Sequence, residues 1–592
     1  MQKIKEQLAK LLQQAGFEVD ASDFVLPPDI KMGDLALPCF GLAKKFKKSP
    51  AEIGMDILQG ISHPLASLTL WRSGPRQVRN DNGVVDRAEI VGPYVNFTFK
   101  RKWLLEQILC SPPFAPSLAG LRVGKMVQGD QQKVMVEYSQ PNTHKEFHVG
   151  HLRNACLGAA LVNILRTTGS KVITANYIGD TGVHVAKCLW YLERNNPELV
   201  VEKGQNKAEY LGKIYSEAVR LIAEKPELMV EIADVQSKLE SGDRKLLKLW
   251  KKTKKWSMND FERIYKVLGN KFDKWFWESE EEKNGRKLLG QIIKEGKIKE
   301  IKKSEGALIA DLQEYGLDVL VLIKSDGNVL YGAKDLSLGI KKFEKYKVDK
   351  SIYVVDVRQT LYLKQIFKML DLLGYSEKEK AHVSYDFVTL PEGAMASRKG
   401  NVVSFDKLFN EVLDKAKDET KTRHADWPQK LVEQIAQTIA LSAIKFWILK
   451  YENNSVIVFD VNKATAFDGD TGPYVLYTIA RINSLFEKSA AAKLKPKSCK
   501  LELLAENIER ELVLKIGMFN DAIKKAKTEL DPSGLCKYLL ELGQLFNNFY
   551  QKCRVIGENP ELAGARLFLS NNVKDVLTKG LRLLNIKDVQ MM

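Results

Sequence analysis

Apolar positions change their spacing twice between residues 133 and 177. Residues 134–138, Val-Met-Val-Glu-Tyr, form a short run with β-branched residues, the pattern of a buried strand. Ser139, Pro141 and Asn142 break it. From His148 to about Thr168 the apolar positions Leu152, Ala155, Ala159, Val162 and Leu165 recur at helical spacing, and Gly169 stands where a helix usually stops. A second strand, 171–177, follows and ends in Ile178-Gly179-Asp180. The pattern predicts a strand–helix–strand unit of a parallel sheet. Its His148-Val149-Gly150-His151 falls at the helix start, outside the carboxyl end of a strand, where open α/β sheets bind ligands. The free N–H groups of a helix start favour anions.

The rest of the chain divides around this unit. Leu8, Leu11, Leu12 and Phe17 predict an opening amphipathic helix. Helices at about 40–46 and from Pro50 follow, then an alternating edge strand at 92–99. Residues 111–124 are rich in Pro and Gly and read as a linker. A long, charged, helical pattern from about 187 to 274 reads as an insertion between two halves of a nucleotide fold. Its Trp250 and Trp256, with Trp275 and Trp277, read as packing residues, with base stacking the alternative. Residues 319–323 and 352–355 are expected strands. Between them a helix runs through 340, on which Tyr331 and Asp335 share a face. From about 451 the pattern is helical to the end. Three domains are expected: an α+β unit (1–118), a Rossmann-type α/β unit with a doubly wound parallel sheet and the helical insertion (119–450), and an all-α helix bundle (451–592).

Composition narrows the partners. The 592 residues carry 91 Lys and Arg against 74 Asp and Glu, a formal charge of +17, which favours a polyanion such as nucleic acid. Seven cysteines without a C-x-x-C pair suit free thiols in a reducing compartment. No run is long and apolar enough to span a membrane, and Glu6, Glu18 and Asp20 argue against a targeting leader. The expected location is cytoplasmic.

The chemistry centres on His148 and His151, three apart and on one side of the first helical turn. Two imidazoles beside the positive end of a helix suit a phosphoryl group, and Gly150 leaves space for a flat ring against the backbone. The pair could instead be two zinc ligands, with His144 and His184 nearby, although no Cys pair or carboxylate pattern accompanies it.

His-Val-Gly-His resembles the His-Ile-Gly-His signature of class I aminoacyl-tRNA synthetases. Glu-Tyr-Ser-x-Pro-Asn before it, Leu152-Arg153 after it and the later Ile-Gly-Asp resemble the arginyl-tRNA synthetase family. The resemblance covers nearly the whole chain in motif order. It implies ATP-dependent activation of L-arginine to arginyl-adenylate, with Mg2+ accompanying ATP and no tightly bound protein metal. Transfer to the 3′-terminal adenosine of tRNA(Arg) would follow, with tRNA bound before activation. It implies a monomer that works without a membrane.

The resemblance also assigns residues. Gly393-Ala-Met-Ala-Ser-Arg-Lys-Gly400 resembles the second class I signature, with Ala394 where its first lysine would stand and Ala396 for the usual serine. This leaves Arg398 and Lys399 for the phosphates, with Lys145 taking the missing lysine's place beside His148 and His151. Gly150, Met395 and Ser397 would also contact ATP. Glu137, Tyr331 and Asp335 would hold the guanidinium, Ser139 and Asn142 the α-amino group, and Gln359 the carboxylate end. A guanidinium is planar, always charged and presents a fork of donors that carboxylates accept bidentately, whereas an ammonium lacks the fork. Gln140 stands where the family commonly has a small residue. Asn96 and Phe99 would touch the D-loop of the tRNA. Tyr474, Tyr477, Arg481, Tyr550 and the terminal Met592 would face the anticodon. A non-catalytic RNA-binding relative is the alternative that the altered second signature favours.

Overall fold

The computed structural model describes residues 1–62, 71–74, 77–80, 84–110, 132–202, 204–296, 298–389, 391, 403–496, 500–557 and 559–592. At its centre lie five parallel strands: β1 (Lys133–Glu137), β2 (Lys171–Ile178), β3 (Lys274–Trp277), β4 (Lys350–Asp356) and β5 (Glu379–Tyr385). Their order is β5-β4-β1-β2-β3. Val134, Met135 and Val136 are fully buried, as a central parallel strand covered on both faces requires. The order reverses between β1 and β4, so the crevice forms beyond Glu137 and Asp356.

Helix α1 (Val149–Thr167) joins β1 to β2. It lies so close to the chain leaving β1 that a Cβ on Gly158 would sit 2.2 Å from the Tyr138 ring. Gly169, which follows it, has φ +97°, the left-handed conformation that glycine adopts without strain.

The insertion is four helices: Val183–Asn195, Lys207–Glu224, Met229–Ser241 and α2 (Arg244–Leu268). They share a core that includes Val185, Leu189, Trp190, Ala218, Ile232 and Leu246. Asp180, fully buried, ties this insertion back to the sheet. It accepts Lys254 Nζ of α2 at 2.5 Å, and Ser279 N and Oγ at 2.9 and 2.8 Å from the start of α3 (Glu278–Glu295). Trp250 donates to the Asp180 carbonyl, and Lys254 lies 3.6 Å above the Trp277 ring. Trp275 packs against Tyr265 and Phe272. Trp256 lies between Lys207 and Lys252 at the wall of an open pocket.

Residues 319–323 form a strand, but not in the nucleotide sheet. Val319–Ile323 pairs with Ala307–Asp311 and Ile301–Ser304 in a separate antiparallel sheet. Helix α4 (Tyr331–Glu344) follows and leads into β4.

The amino-terminal unit is a five-stranded antiparallel sheet. Tyr94–Phe99 lies inside it, between Leu35–Pro38 and Val85–Val91, not at an edge as its alternation suggested. Asp34, fully buried, receives the Phe99 N–H at 2.7 Å and the Arg510 guanidinium on both oxygens. A two-pronged charged pair thus joins this unit to the carboxyl-terminal bundle. The bundle includes α5 (Gly472–Ala491), α6 (Ser533–Lys552) and Pro560–Leu583. The region after 451 is not wholly helical, because Ile457–Val458 pairs in parallel with Val388–Thr389.

Arg153 closes that junction. Its guanidinium donates to the carbonyls of Asp386, Phe387, Glu452, Asn453 and Ser455. Among the described residues, no helix is long and apolar enough to cross a membrane.

Candidate active site

His148 caps α1, as the helix pattern requires of the residue at its start. Its Nδ1 accepts the Gly150 N–H at 3.1 Å, and His151 Nδ1 accepts the His148 N–H at 3.3 Å. Each ring nitrogen that accepts a backbone N–H is unprotonated, so the neutral rings carry their protons on Nε2 as outward donors. The rings stack at 3.8 Å. Burial pushes His148 down to about 4 and His151 well below its ordinary value, each helped by the Lys145 charge. His144 and His184 are pushed down to about 3 by the same burial. At neutral pH these imidazoles donate hydrogen bonds without adding charge, and Lys145 supplies the cation. Its Nζ lies 4.8 Å from the Tyr215 ring.

Gly150 has a reason other than the one its sequence suggested. A Cβ there would meet the His148 ring at 2.9 Å, so the glycine clears space for the neighbouring imidazole. The second signature, with Met395, Ser397, Arg398 and Lys399, lies outside the described residues. The chain just beyond it is anchored on the first signature: Val149 N–H donates to Val403 O, and Phe405 N–H to Phe147 O at 2.8 Å. Among the described residues no group of three or more His, Cys, Asp or Glu is arranged to hold a metal ion.

The other end of the crevice is acidic. Glu137 ends β1 with 3 % of its surface exposed, and its Oε1 accepts the Gln140 amide at 3.0 Å. Asp335 projects from the second turn of α4 and accepts the Tyr362 hydroxyl at 2.5 Å. Burial raises its carboxyl to about 7, and the nearby charges of Glu137 and Glu278 push the same way. Asp335 is not a helix cap, since Leu330 holds that position. Tyr331 opens the same helix and is 58 % exposed, at the rim.

Lys342, two turns beyond Asp335, is a resident the sequence reading missed. Its Nζ is 2.8 Å from Glu137 Oε2 and 3.8 Å from the Tyr353 ring centroid. The two opposite charges touch in a buried ion pair. The Tyr177 hydroxyl is buried with no hydrogen-bond partner among the described residues. Lys334 bridges Glu278 at 3.1 Å and Glu282 at 2.7 Å.

The α-amino candidates are placed unevenly. Ser139 is buried, its hydroxyl paired with Tyr265 at 2.7 Å and its N–H donated to Asn154. Ser139 and Gln140 both have positive φ, a strained exit from β1 of the kind that clusters at ligand sites. Asn142 lies across Gly179, where a Cβ would come 2.0 Å from its Oδ1; the glycine of Ile-Gly-Asp is the floor for that side chain. Gln359 is exposed at the end of the turn after β4.

A family model described as tRNA synthetases class I (R), catalytic domain, matches residues 118–461. Models of the DALR anticodon binding domain and the arginyl tRNA synthetase N terminal domain match 475–592 and 2–75. The chain belongs to the arginyl-tRNA synthetases. It is 37 % identical over 575 residues to an arginine–tRNA ligase of Bdellovibrio bacteriovorus, covering 95 % of this chain and 93 % of that one. With the arginine–tRNA ligase of Clostridioides difficile it shares 32 % over 584 residues, 98 % of this chain and 97 % of the relative. The solved arginyl-tRNA synthetase of Thermus thermophilus superposes with a TM-score of 0.81 at 27 % identity, over the whole of both chains.

In this synthetase the anticodon candidates gather between α5 and α6. Asn547 joins them, donating to the Tyr474 hydroxyl at 2.8 Å and accepting from Arg481. The Arg481 guanidinium lies 4.9 Å from the Tyr477 ring and 5.5 Å from that of Tyr550. Asn483 of α5 holds the tail that ends at Met592 through the Gln590 carbonyl. Asn96 and Phe99 are placed otherwise. At 2 % and 1 % exposure they are packed inside the amino-terminal unit: three residues apart, they lie on opposite faces of their strand, and both faces are covered there.

Proposed function

We propose that this chain joins L-arginine to tRNA(Arg) in two steps within the crevice beyond β1 and β4. The arginine α-carboxylate attacks the α-phosphorus of ATP, forming arginyl-adenylate and releasing pyrophosphate. A ribose hydroxyl of the tRNA's terminal adenosine then takes the arginyl group and AMP leaves. Catalysis is positioning and charge stabilisation, with no covalent enzyme intermediate. The Nε2 donors of His148 and His151, the Lys145 ammonium and the cations Arg398 and Lys399 meet the phosphates. Met395, Ser397 and Gly150 frame the nucleotide, and Mg2+ enters with ATP.

Asp335 and Glu137 take the guanidinium, with Tyr331 at the rim. Asn142 and Gln359 hold the α-amino and carboxylate ends, and Ser139 supports the former from its bond to Tyr265. The bundle reads the anticodon through Tyr474, Tyr477, Arg481, Tyr550 and the Met592 tail. Asn96 and Phe99 serve by packing under the face that meets the D-loop. The working boundaries are 1–118, 119–450 and 451–592, and the enzyme acts as a cytoplasmic monomer.

The observation that carries this reading is the convergence of Glu137 and Asp335 from β1 and α4, close enough for one charge to act on the other, beyond the carboxyl end of the strand that leads to α1 and its cap His148. Buried carboxylates without a ligand are costly unless something exchangeable neutralises them. The test is arginine-dependent charging of tRNA(Arg) and arginine-dependent pyrophosphate exchange, each with and without tRNA. Charging with arginine alone among amino acids is expected. Tight tRNA binding without charging would make the chain a binding relative instead.

A further inference from the structure

Lys342 gives the acidic pocket a cation of its own. The groups facing Asp335 come from every element around it: Glu137 from β1, Tyr177 from β2, Glu278 from the start of α3, Tyr331 and Lys342 from α4, and Tyr362 from the helix Thr360–Leu370. Glu278 already shares Lys334 with Glu282. Glu137 and Asp335 alone would put two negative charges in a desolvated space, and one guanidinium neutralises only one of them. Lys342, fully buried at 2.8 Å from Glu137, brings the pair to a single negative charge. Resting on the assignment of the guanidinium to Asp335 and Glu137, we propose that Lys342 is a positioning residue that holds Glu137 and cancels one of the two charges of the Glu137–Asp335 pair, leaving that pair one negative charge for one monocation.

Two features support this over a simple structural ion pair. Lys342 meets Glu137 on Oε2 and the Gln140 amide meets it on Oε1, and a carboxylate has about four lone-pair directions, so Glu137 keeps some for a further donor. Lys342 also sits over the Tyr353 ring, a π-face that holds an ammonium in place without consuming the carboxylate. Removing this charge leaves Asp335 facing Glu137 and Glu278 with less opposition, which favours its protonated form. A protonated Asp335 cannot pair with the guanidinium.

The test compares Lys342→Met, Lys342→Arg, the double variant Glu137→Gln/Lys342→Met, and Asp335→Asn. Arginine and ATP KM and kcat are followed from pH 6 to 9. In wild type the arginine KM should rise below about pH 7, following Asp335. Lys342→Met should move that rise upward by at least one pH unit, which is about fivefold in arginine KM at pH 7 and approaches tenfold at pH 6. It should recover toward pH 9 and leave the ATP KM unchanged. Lys342→Arg should keep the wild-type profile. The double variant should bind arginine weakly but bring the rise back to within half a unit of wild type, and it carries the test if the single Met variant does not fold. A Lys342→Met loss that is equal at every pH, or shared with ATP, overturns the proposal, as does an upward shift in the double variant. Asp335→Asn separates the two levels. If it leaves the arginine KM and its pH profile intact, the guanidinium assignment itself fails. If it abolishes the pH profile while Lys342→Met leaves it unmoved, only the role of Lys342 fails.

Discussion

The protein holds a guanidinium of its own and, on the proposed assignment, receives another in the acidic pocket, and the two sites are built in opposite ways. Arg153 is buried among five backbone carbonyls, at 2.6 Å from Asp386 O and 2.8 Å from Asn453 O, and makes no ion pair among the described residues. Its guanidinium is pushed down to about 10 by burial, yet it stays a cation at neutral pH. The chain delivers this cation, so neutral dipoles are enough to solvate it once folding has placed it. The acidic pocket has no tether to rely on. It must draw a cation out of water against the entropy of association, and formal negative charge does that where carbonyls would not. The consequence falls on the empty state: burial pushes Asp335 up to about 7. One design favours the fold and the other favours exchange.

The largest expected effect breaks the tethered site. Arg153→Met leaves five buried carbonyls facing an apolar side chain. It should lower unfolding free energy by roughly 3–5 kcal/mol, since removing one partner of a buried charged cluster costs that much. Denaturant unfolding at neutral pH reads it, and a loss under about 1 kcal/mol would mean that the clasp contributes little. Lys is no substitute, because three donors on a point charge cannot span carbonyls from both segments.

Asp335→Asn breaks the exchanging site with the opposite pattern. The arginine KM should rise about 100-fold, near 2–3 kcal/mol for a charge-assisted bond, while the ATP KM stays within twofold. Stability should not fall. The folded-state pKa of Asp335 is raised, so the folded protein binds the proton more tightly than the unfolded chain, and this contribution is lost as pH rises from about 4 through about 7. At pH 8 the Asn variant should therefore unfold at a higher denaturant concentration than wild type. Equal losses for arginine and ATP would place the guanidinium elsewhere.

A smaller effect sharpens the comparison without mutation. On the proposed assignment arginine pairs with ionised Asp335, so binding near pH 7 should release a fraction of a proton, and arginine affinity should weaken by at most tenfold per pH unit below that. Titration calorimetry in buffers of differing ionisation heat measures the release. Proton uptake on binding would contradict the assignment.

How much of this was readable in advance depends on distance along the chain. The strand–helix–strand unit was legible because its signals are local: a β-branched run, a helical period and a glycine at the end. The helical insertion and the pairing of Tyr331 with Asp335 on one helix were legible for the same reason. Arg153 could be recognised as part of a motif, but its partners lie 233 to 302 residues later, beyond any local pattern. Lys342 follows Lys341 in a run that looks solvated; only the docking of α4 over β1 and β4 turns one of the two inward. Asn96 and Phe99 were expected outside because alternation marks two faces of a strand without telling whether another element covers each of them. Gly150 was given a need for space, and the His148 ring beside it adds a second reason for that need.

Gln140 joins the two designs and carries the smallest predicted effect. It departs from the small residue common at this place, and its amide donates to Glu137 Oε1 at 3.0 Å, on the oxygen that Lys342 does not touch. A neutral dipole here does for a carboxylate what the carbonyls do for Arg153. It steadies a buried charge without cancelling it, and so leaves it attractive to an incoming cation. Gln140→Met removes that donor at similar length. The arginine KM should rise by about fivefold, close to 1 kcal/mol for one lost hydrogen bond, with the ATP KM unchanged. Added to Asp335→Asn, it should combine non-additively, because both changes act on one set of interacting charges. Strict additivity would mean that Gln140 steadies the exit of β1 and has no part in receiving arginine.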